Sequence, residues 1–183
     1  LTATKRVGVH QYEYPSEEAQ HIILDLTHSI YGYDGKVCRA TLRVENDTLV
    51  TGFRLTDGWA RTNYTYFAIS FSKPIRDYGY KDRHPSSYGG FWRRFDIVHN
   101  FPDMAGRDVV SWFSFDEGEP LTVKVAISAV DAAGAVRNLQ AEGAGTFDEL
   151  AAKAAAAWDK ELGRFEVEGT EIEKTMFYTS IYL

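Results

Sequence analysis

The sequence has one cysteine, no excess of basic residues and no long apolar run. Cys38 alone cannot form an internal disulfide or a cysteine-based zinc site. The 183 residues include 26 acidic and 20 basic side chains, and the formal net charge of -6 argues against non-specific nucleic-acid binding. No apolar run reaches the roughly 18 residues of a membrane-spanning helix. We therefore expect an acidic globular protein of about one domain.

The sequence also lacks the short motifs of several enzyme classes. It has no Walker loop, no dinucleotide-binding glycine motif, no G-x-S-x-G and no H-E-x-x-H. Cys38 lies in a predicted strand without a nearby histidine, so we expect a buried, inert thiol. No pair of carboxylates is singled out for acid–base chemistry. We interpret the histidines as structural or solvated residues; they are His10, His21, His28, His84 and His99.

From Leu1 to about Val130, alternating apolar and polar residues predict β-strands. Asn46-Asp47 predicts the turn of a hairpin, and residues 116–119 predict another turn. Ile22, Ile23 and Leu24 form a short apolar run that we expect to be buried. Many short strands separated by turns predict an antiparallel β-sandwich. The predicted strands lie around 7–14, 22–24, 37–45, 49–55, 64–71, 91–98, 109–115 and 121–127.

After residue 130 the spacing of apolar residues becomes helical. Asp131 is the predicted N-cap of a short helix with Ala135 and Leu139 on one face. A longer helix is predicted at 146–162, since Thr146 and Glu149 have the spacing of a capping box. A brief strand at 164–167 and a further helix follow; Thr170 and Glu173 are the predicted capping box of that helix.

The two ends of the chain suggest a larger protein. The chain begins at Leu1 and finishes in the apolar, aromatic run Phe177–Leu183, whereas termini are usually polar and loosely held. We interpret both ends as cuts through a longer polypeptide. The alternative is that the last helix packs on the core of this chain.

Aromatic residues beside polar ones are typical of sugar-binding surfaces, where flat rings stack on a pyranose and polar groups bond its hydroxyls. Two stretches fit, residues 57–61 and 88–94. They contain our candidate carbohydrate-binding or domain-interface residues, which are Trp59, Arg61, Trp92 and Arg93. The alternative is that both tryptophans lie in the core or between domains.

Several stretches together resemble the N-terminal β-sandwich domain of glycoside hydrolase family 92, the calcium-dependent α-mannosidases. The opening residues 1–10, LTATKRVGVH, resemble the first strand of that domain. The matches run in the family's order along the chain, but residues 78–108 match no pattern of the family. The other matching stretches are Gly58-Trp59, Tyr66-Phe67 with Phe71–Pro74, Leu121–Ser128 with Ala135 and Asn138-Leu139, Trp158 with Leu162, and Lys174 with Phe177–Thr179.

The resemblance implies that the whole enzyme removes terminal α-linked mannose with inversion. A carboxylic acid would protonate the leaving oxygen and a carboxylate would activate water, about 6.5–9.5 Å away from the acid. It also implies that a helical (α/α) barrel beyond this chain carries these groups and the calcium ligands, so no catalytic or metal-binding residue is placed here. Members of the family are mostly secreted or periplasmic bacterial proteins.

We therefore expect a mainly β chain: an antiparallel sandwich of the supersandwich, galactose-mutarotase-like type, then a linker helix and the start of a helical domain. The expected divisions are residues 1–145, 146–163 and 164–183. The expected role is to pack on the catalytic barrel and wall the mannose pocket without activity of its own. The expected partners are that barrel and mannose-containing glycans. The alternatives are a stand-alone carbohydrate-binding or scaffold module and a sugar mutarotase using His10, His21 or His99.

Overall fold

The structure is a computed structural model that describes residues 1–15, 18–29, 32, 35–82 and 102–182. In these ranges the chain forms strands first and helices last, as the sequence predicts. The strands are β1 Thr2–Ala3, β2 Val7–Tyr12, β3 Gln20–Asp25, β4 Val37–Val44, β5 Leu49–Thr56, β6 Asn63–Phe71, β7 Asp77–Asp82, β8 Asp103–Gly106, β9 Val109–Phe115 and β10 Leu121–Ser128. The helices are α1 Ala132–Glu142, α2 Phe147–Leu162 and α3 Glu171–Tyr182.

The strands form two antiparallel sheets, which confirms the predicted sandwich. The larger sheet has the order β1-β2-β10-β6-β5-β4-β8, and the smaller has the order β3-β9-β7. The hairpin between β4 and β5 is confirmed, and the Asn46 side chain accepts a hydrogen bond from the backbone N–H of Thr48 at 2.9 Å. The predicted turn at 116–119 carries the chain from the smaller sheet to the larger one.

The main core lies between the two sheets. β9 shows the period of two that a strand between core and solvent requires, with residues 109, 111, 113 and 115 buried. Phe113 and Phe115 are fully buried and pack against Phe71 of the larger sheet, with ring centroids 5.4 and 4.9 Å away. These aromatic contacts hold the sheets together face to face.

The first two helices cover part of the outer face of the larger sheet. A second, smaller core contains Val7 and Val9 of β2, Ala126 of β10 and Leu150 of α2. The helix caps agree with the sequence: the Asp131 side chain accepts from the Gly134 N–H, and Thr146 and Glu149 form the predicted capping box. The helices α1 and α2 therefore pack on the β domain, and Leu150 of α2 shares the smaller core with β2 and β10.

The last helix has no place in either core. None of its residues is buried, although Ile172, Met176 and Ile181 are apolar. Aromatic side chains join it to the preceding residues. The rings of Tyr182 and Trp158 lie 4.8 Å apart, and the Tyr178 hydroxyl donates to the Phe165 carbonyl at 2.7 Å. The sandwich and α3 thus differ sharply in how much apolar surface they bury.

Four expectations need correction or lie outside the described residues. Residues 164–167 form no strand, because the chain turns directly from α2 towards the cap of α3. Cys38 is exposed, because it falls in a β-bulge between Val37 and Arg39 that breaks the alternation. Ile23 is 73% exposed, because the smaller sheet buries one face only. The possible strand at 91–98 lies outside the described residues.

Within the described ranges, none of the helices has the length and apolarity needed to cross a lipid bilayer.

Candidate functional site

The two candidate residues that the structure describes, Trp59 and Arg61, lie in one connection at an end of the sandwich. β5 ends at Thr56, which pairs with Asn63 at the start of β6 and with Val37 at the start of β4. On the smaller sheet, Asp25 ends β3 at this end, and the next residue, Leu26, bonds to the carbonyl of Val109 at 3.1 Å. The Arg54 guanidinium of β5 donates to the carbonyl of His28, three residues after β3, so the connection between β5 and β6, residues 57–62, lies at the same end as the connection after β3.

Trp59 projects from the β5–β6 connection into solvent. Its residue surface is 96% exposed, and Arg61 in the same connection is also exposed. Gly58 before it has a φ of 145°, a value that side chains with a Cβ rarely adopt. This geometry excludes the interpretation of Trp59 as a core residue of this chain, and it leaves the interpretation as a contact residue open.

Backbone and side-chain hydrogen bonds hold the connection in place. The N–H of Asp57 donates to the Lys36 carbonyl at 2.9 Å, and the Asp57 carboxylate accepts from the N–H of Gly58 at 2.7 Å. The far end of the Lys36 side chain also lies 3.3 Å from the position of a Cβ at Gly58, so a larger residue there would shift the lysine slightly. The backbone that leads into Trp59 is thus held by hydrogen bonds.

Arg54 links the two sheets at this end. Its guanidinium Nη2 donates to the His28 carbonyl, while its buried Nε has no hydrogen-bond partner among the described residues. Burial lowers the pKa of Arg54, and the charge of Asp25 opposes that shift. Sequence reasoning missed this residue, since its role depends on the register of β5 and on the carbonyl of a distant loop.

The remaining candidate residues and the histidines either lie on different sheets or fall outside the described residues. Trp92, Arg93, His84 and His99 lie outside them. His10 is on the larger sheet, with its Nδ1 3.2 Å from the Tyr12 hydroxyl, and burial lowers its pKa. His21 is on the smaller sheet. In the part of the chain that the structure describes, no three His, Cys, Asp or Glu side chains are grouped so that they could hold a metal ion.

A carboxylate clasp fixes the helices to the sandwich. Glu142 at the end of α1 accepts from the Thr4 hydroxyl and from the Arg6 guanidinium, each at 2.6 Å, and from the Arg6 N–H at 3.0 Å. The Thr4 hydrogen bond, followed by those of Arg6, holds the pKa of Glu142 below its ordinary value. The clasp joins the end of α1 to the segment between β1 and β2.

Lys124 of β10 supports the same junction. Its Nζ donates to the carbonyls of Gly143 and Gly145, both at 2.7 Å, in the turn between α1 and α2. Burial lowers the pKa of Lys124, and the carboxylate of Glu149 raises it in part. This cation satisfies carbonyls at the end of a helix, where cations are favoured.

Models of protein families match nearly the whole chain. The model described as the glycosyl hydrolase family 92 N-terminal domain matches residues 1–128, and the model of the family 92 catalytic domain matches residues 134–183. The chain belongs to glycosyl hydrolase family 92. The first match ends with β10, and the second begins at the third residue of α1.

The aligned parts of solved family 92 enzymes have the same fold as this chain. The family GH92 α-mannosidase BT3965 from Bacteroides thetaiotaomicron is 33% identical with a TM-score of 0.83, and the alignment covers 98% of this chain and 24% of that enzyme. The family GH92 inverting mannosidase BT2199 of the same species is 27% identical with a TM-score of 0.79, covering 98% of this chain and 23% of that enzyme. This family 92 chain thus spans about a quarter of the enzymes it matches. A comparison with curated proteins found no match.

Proposed function

We propose that this chain is the β-sandwich part of a family 92 α-mannosidase, and that it packs on the catalytic barrel and walls the mannose-binding pocket without hydrolysing mannosides itself. The family membership supports the enzyme class. The chain's coverage of about a quarter of BT3965 supports a division of labour with a further part of the enzyme. The domain divisions given above stay a prediction.

The observation that carries this proposal is the uncovered apolar side of the C-terminal helices. In the exposed stretch 155–161 of α2, which also contains charged residues, Trp158 is 48% exposed, and Phe165 between α2 and α3 is 46% exposed. On α3, Ile172 is 74% and Met176 is 66% exposed. Large exposed apolar patches mark interaction sites. The match of residues 134–183 to the catalytic-domain model supports the remainder of that domain as the occupant of this patch.

The wall of the pocket is assigned to the β5–β6 connection. An exposed indole presents a flat face for stacking, and the neighbouring Arg61 is exposed and able to donate hydrogen bonds. Ligand sites often form between domains, where such a residue closes one side of a cavity formed mainly by the other domain. Trp59 is therefore the proposed contact to mannose or to the barrel.

Calcium enters the proposal only through the family resemblance and only for the whole enzyme. Calcium binds oxygen ligands, and no residue of this chain is assigned to it. The secreted or periplasmic location proposed for the enzyme likewise rests on the resemblance.

The first test is an assay of mannose release from α-1,2-mannobiose by the purified 183-residue chain. We expect no release above that of a mock purification, because the acid and base are proposed to lie in the barrel. Release that scales with the concentration of the chain would overturn the proposed inactivity.

The second test uses Trp59→Ala in the protein that joins this chain to its barrel. Loss of a stacking aromatic is expected to lower kcat/KM about tenfold. Ile23→Ala is the matched control, since Ile23 is also exposed but lies on the smaller sheet. Equal activities of the Trp59 variant and the control would remove Trp59 from the pocket wall. Glycan binding by the 183-residue chain alone that depends on Trp59 would instead favour the stand-alone binding module.

A further inference from the structure

The outer face of the larger sheet contains a groove that neither the helices nor the β5–β6 connection occupies. It has a volume of about 410 Å³ and lies over β4, β5, β6 and β8, beside Ala132 at the start of α1. Volumes of this size are typical of pockets for small ligands. The groove lies on the face of the sheet, so it is distinct from the proposed pocket wall at the end of the strands.

An aromatic cluster forms one side of this groove. Phe53 and Tyr66 are cross-strand partners on β5 and β6 with ring centroids 5.8 Å apart. Tyr64 continues the cluster, stacked on Tyr66 at 5.7 Å with an angle of 10° between the rings. Phe53 and Tyr66 line the groove and are half-buried, so their rings are held by neighbours while part of each remains accessible.

A preformed network of charged groups forms the other side. Arg43 Nη1 lies 3.1 Å from the Asp103 carboxylate, and Arg43 Nε lies 3.5 Å from the Glu45 carboxylate. Glu45 in turn accepts from the Thr51 hydroxyl at 2.6 Å. The side chains of Arg43 and Asp103 are more than half exposed, so they retain unused donors and acceptors that face solvent.

The charged groups and the aromatic rings of the groove together favour a neutral ligand. An excess of one negative charge at the rim disfavours phosphates and carboxylates, and Arg43 between the two carboxylates disfavours a cation. A flat ring beside alternating donors and acceptors suits a neutral pyranose, which has an apolar C–H face and hydroxyls at its edge. We propose that this groove is a second carbohydrate site, which binds one or two neutral sugar units outside the active-site pocket.

The experiment is a titration of the isotope-labelled 183-residue chain followed by backbone amide NMR. The probes are α-1,2-mannobiose and maltose as neutral sugars, tetramethylammonium as a cation and inorganic phosphate as an anion. We expect a neutral sugar at millimolar concentration to shift amides at 41–45, 51–53, 66 and 103–105. Shifts there with an ion but with neither sugar would overturn the proposal, as would the absence of shifts. Amides at 57–62 are read separately, so failure of the groove is distinguishable from failure of the proposed pocket wall.

Variants of both sides of the groove identify the contacts. Arg43→Gln is expected to weaken sugar binding about tenfold. Arg76→Gln is its control, because Arg76 pairs with Asp116 at 3.2 Å in an exposed ion pair that does not line the groove. Tyr66→Leu is expected to weaken binding and Tyr66→Phe to retain it, since only phenylalanine preserves the ring. Equal affinities for Arg43→Gln and Arg76→Gln, together with equal affinities for both Tyr66 variants, would overturn the site.

Discussion

The sandwich and the last helix contain similar apolar residues but differ in how far they bury them. Phe113 and Phe115 of β9 are fully buried against the other sheet, whereas α3 contains no buried residue. α2 is intermediate, because Leu150 near its start packs on β2 while residues 155–161 are exposed. The difference shows that the β domain completes its own core. The apolar residues of α3 are not buried by the described residues of this chain, as the proposed docking on the catalytic domain requires.

The largest expected loss of stability comes from a substitution at the centre of the sandwich. Phe113→Ala should lower the free energy of unfolding by about 4 kcal/mol, since it leaves a cavity between the sheets. Urea unfolding followed by circular dichroism measures this change. Ile23→Ala on the same sheet, where the side chain is 73% exposed, should change it by less than about 0.5 kcal/mol. Similar losses in both variants would mean that the sheets do not pack as described.

A glycine in the larger sheet provides the next test. A Cβ at Gly52 would lie 2.2 Å from the Thr41 carbonyl oxygen and 2.5 Å from Cζ of Phe67, so Gly52→Ala must displace a neighbouring strand or ring. We expect a loss of about 2–3 kcal/mol in the same urea measurement. Gly8→Ala is the control, because its Cβ would meet atoms no closer than 3.8 Å. A harmless Gly52→Ala would contradict the register of β4, β5 and β6.

The clasp between the sandwich and α1 should have a smaller, pH-dependent effect. Glu142→Gln should cost about 1.5 kcal/mol at neutral pH, through loss of charged hydrogen bonds. Because folding lowers the pKa of Glu142, the stabilisation is present above the ordinary value of 4.5 and is lost as the pH falls through the lower, folded value. The difference between wild type and variant should therefore shrink in urea titrations below pH 4.5. A difference that stays constant or grows on acidification would contradict the clasp.

The smallest change in stability is expected from a substitution in α3. Met176→Ala, at a side chain 66% exposed, should change the stability of the 183-residue chain by less than about 0.5 kcal/mol. Leu150→Ala, at a residue 2% exposed on α2, should cost about 3 kcal/mol and serves as the control. Thermal and urea unfolding of both variants measure the contrast. A large loss for Met176→Ala would place α3 in the core of this chain.

Local patterns predicted much of the fold. The strands with clear alternation, the hairpin turn at Asn46 and both predicted capping boxes depend on neighbouring residues, and the structure confirms them. The exposure of Cys38 depends on a bulge in the pairing with β5, which no local pattern contains.

The sites were harder to predict than the fold. The exposure of Trp59 agrees with its choice as a candidate, whereas its role stays a prediction. The groove could not be predicted, because Arg43 and Asp103 are 60 residues apart and meet only through the pairing of β4 with β8. The alternation of Tyr64 and Tyr66 on β6 was the one local signal that could have indicated it.

Amide hydrogen exchange of the 183-residue chain, resolved by residue, tests most directly whether α3 belongs to a surface outside the β domain. We expect strong protection in β6, β9 and β10 and exchange in α3 close to that of an isolated helix, because tertiary packing provides most of a helix's stability. Protection of α3 equal to that of β9 would show that this chain stabilises the helix by itself, and it would contradict the proposed docking on a catalytic barrel.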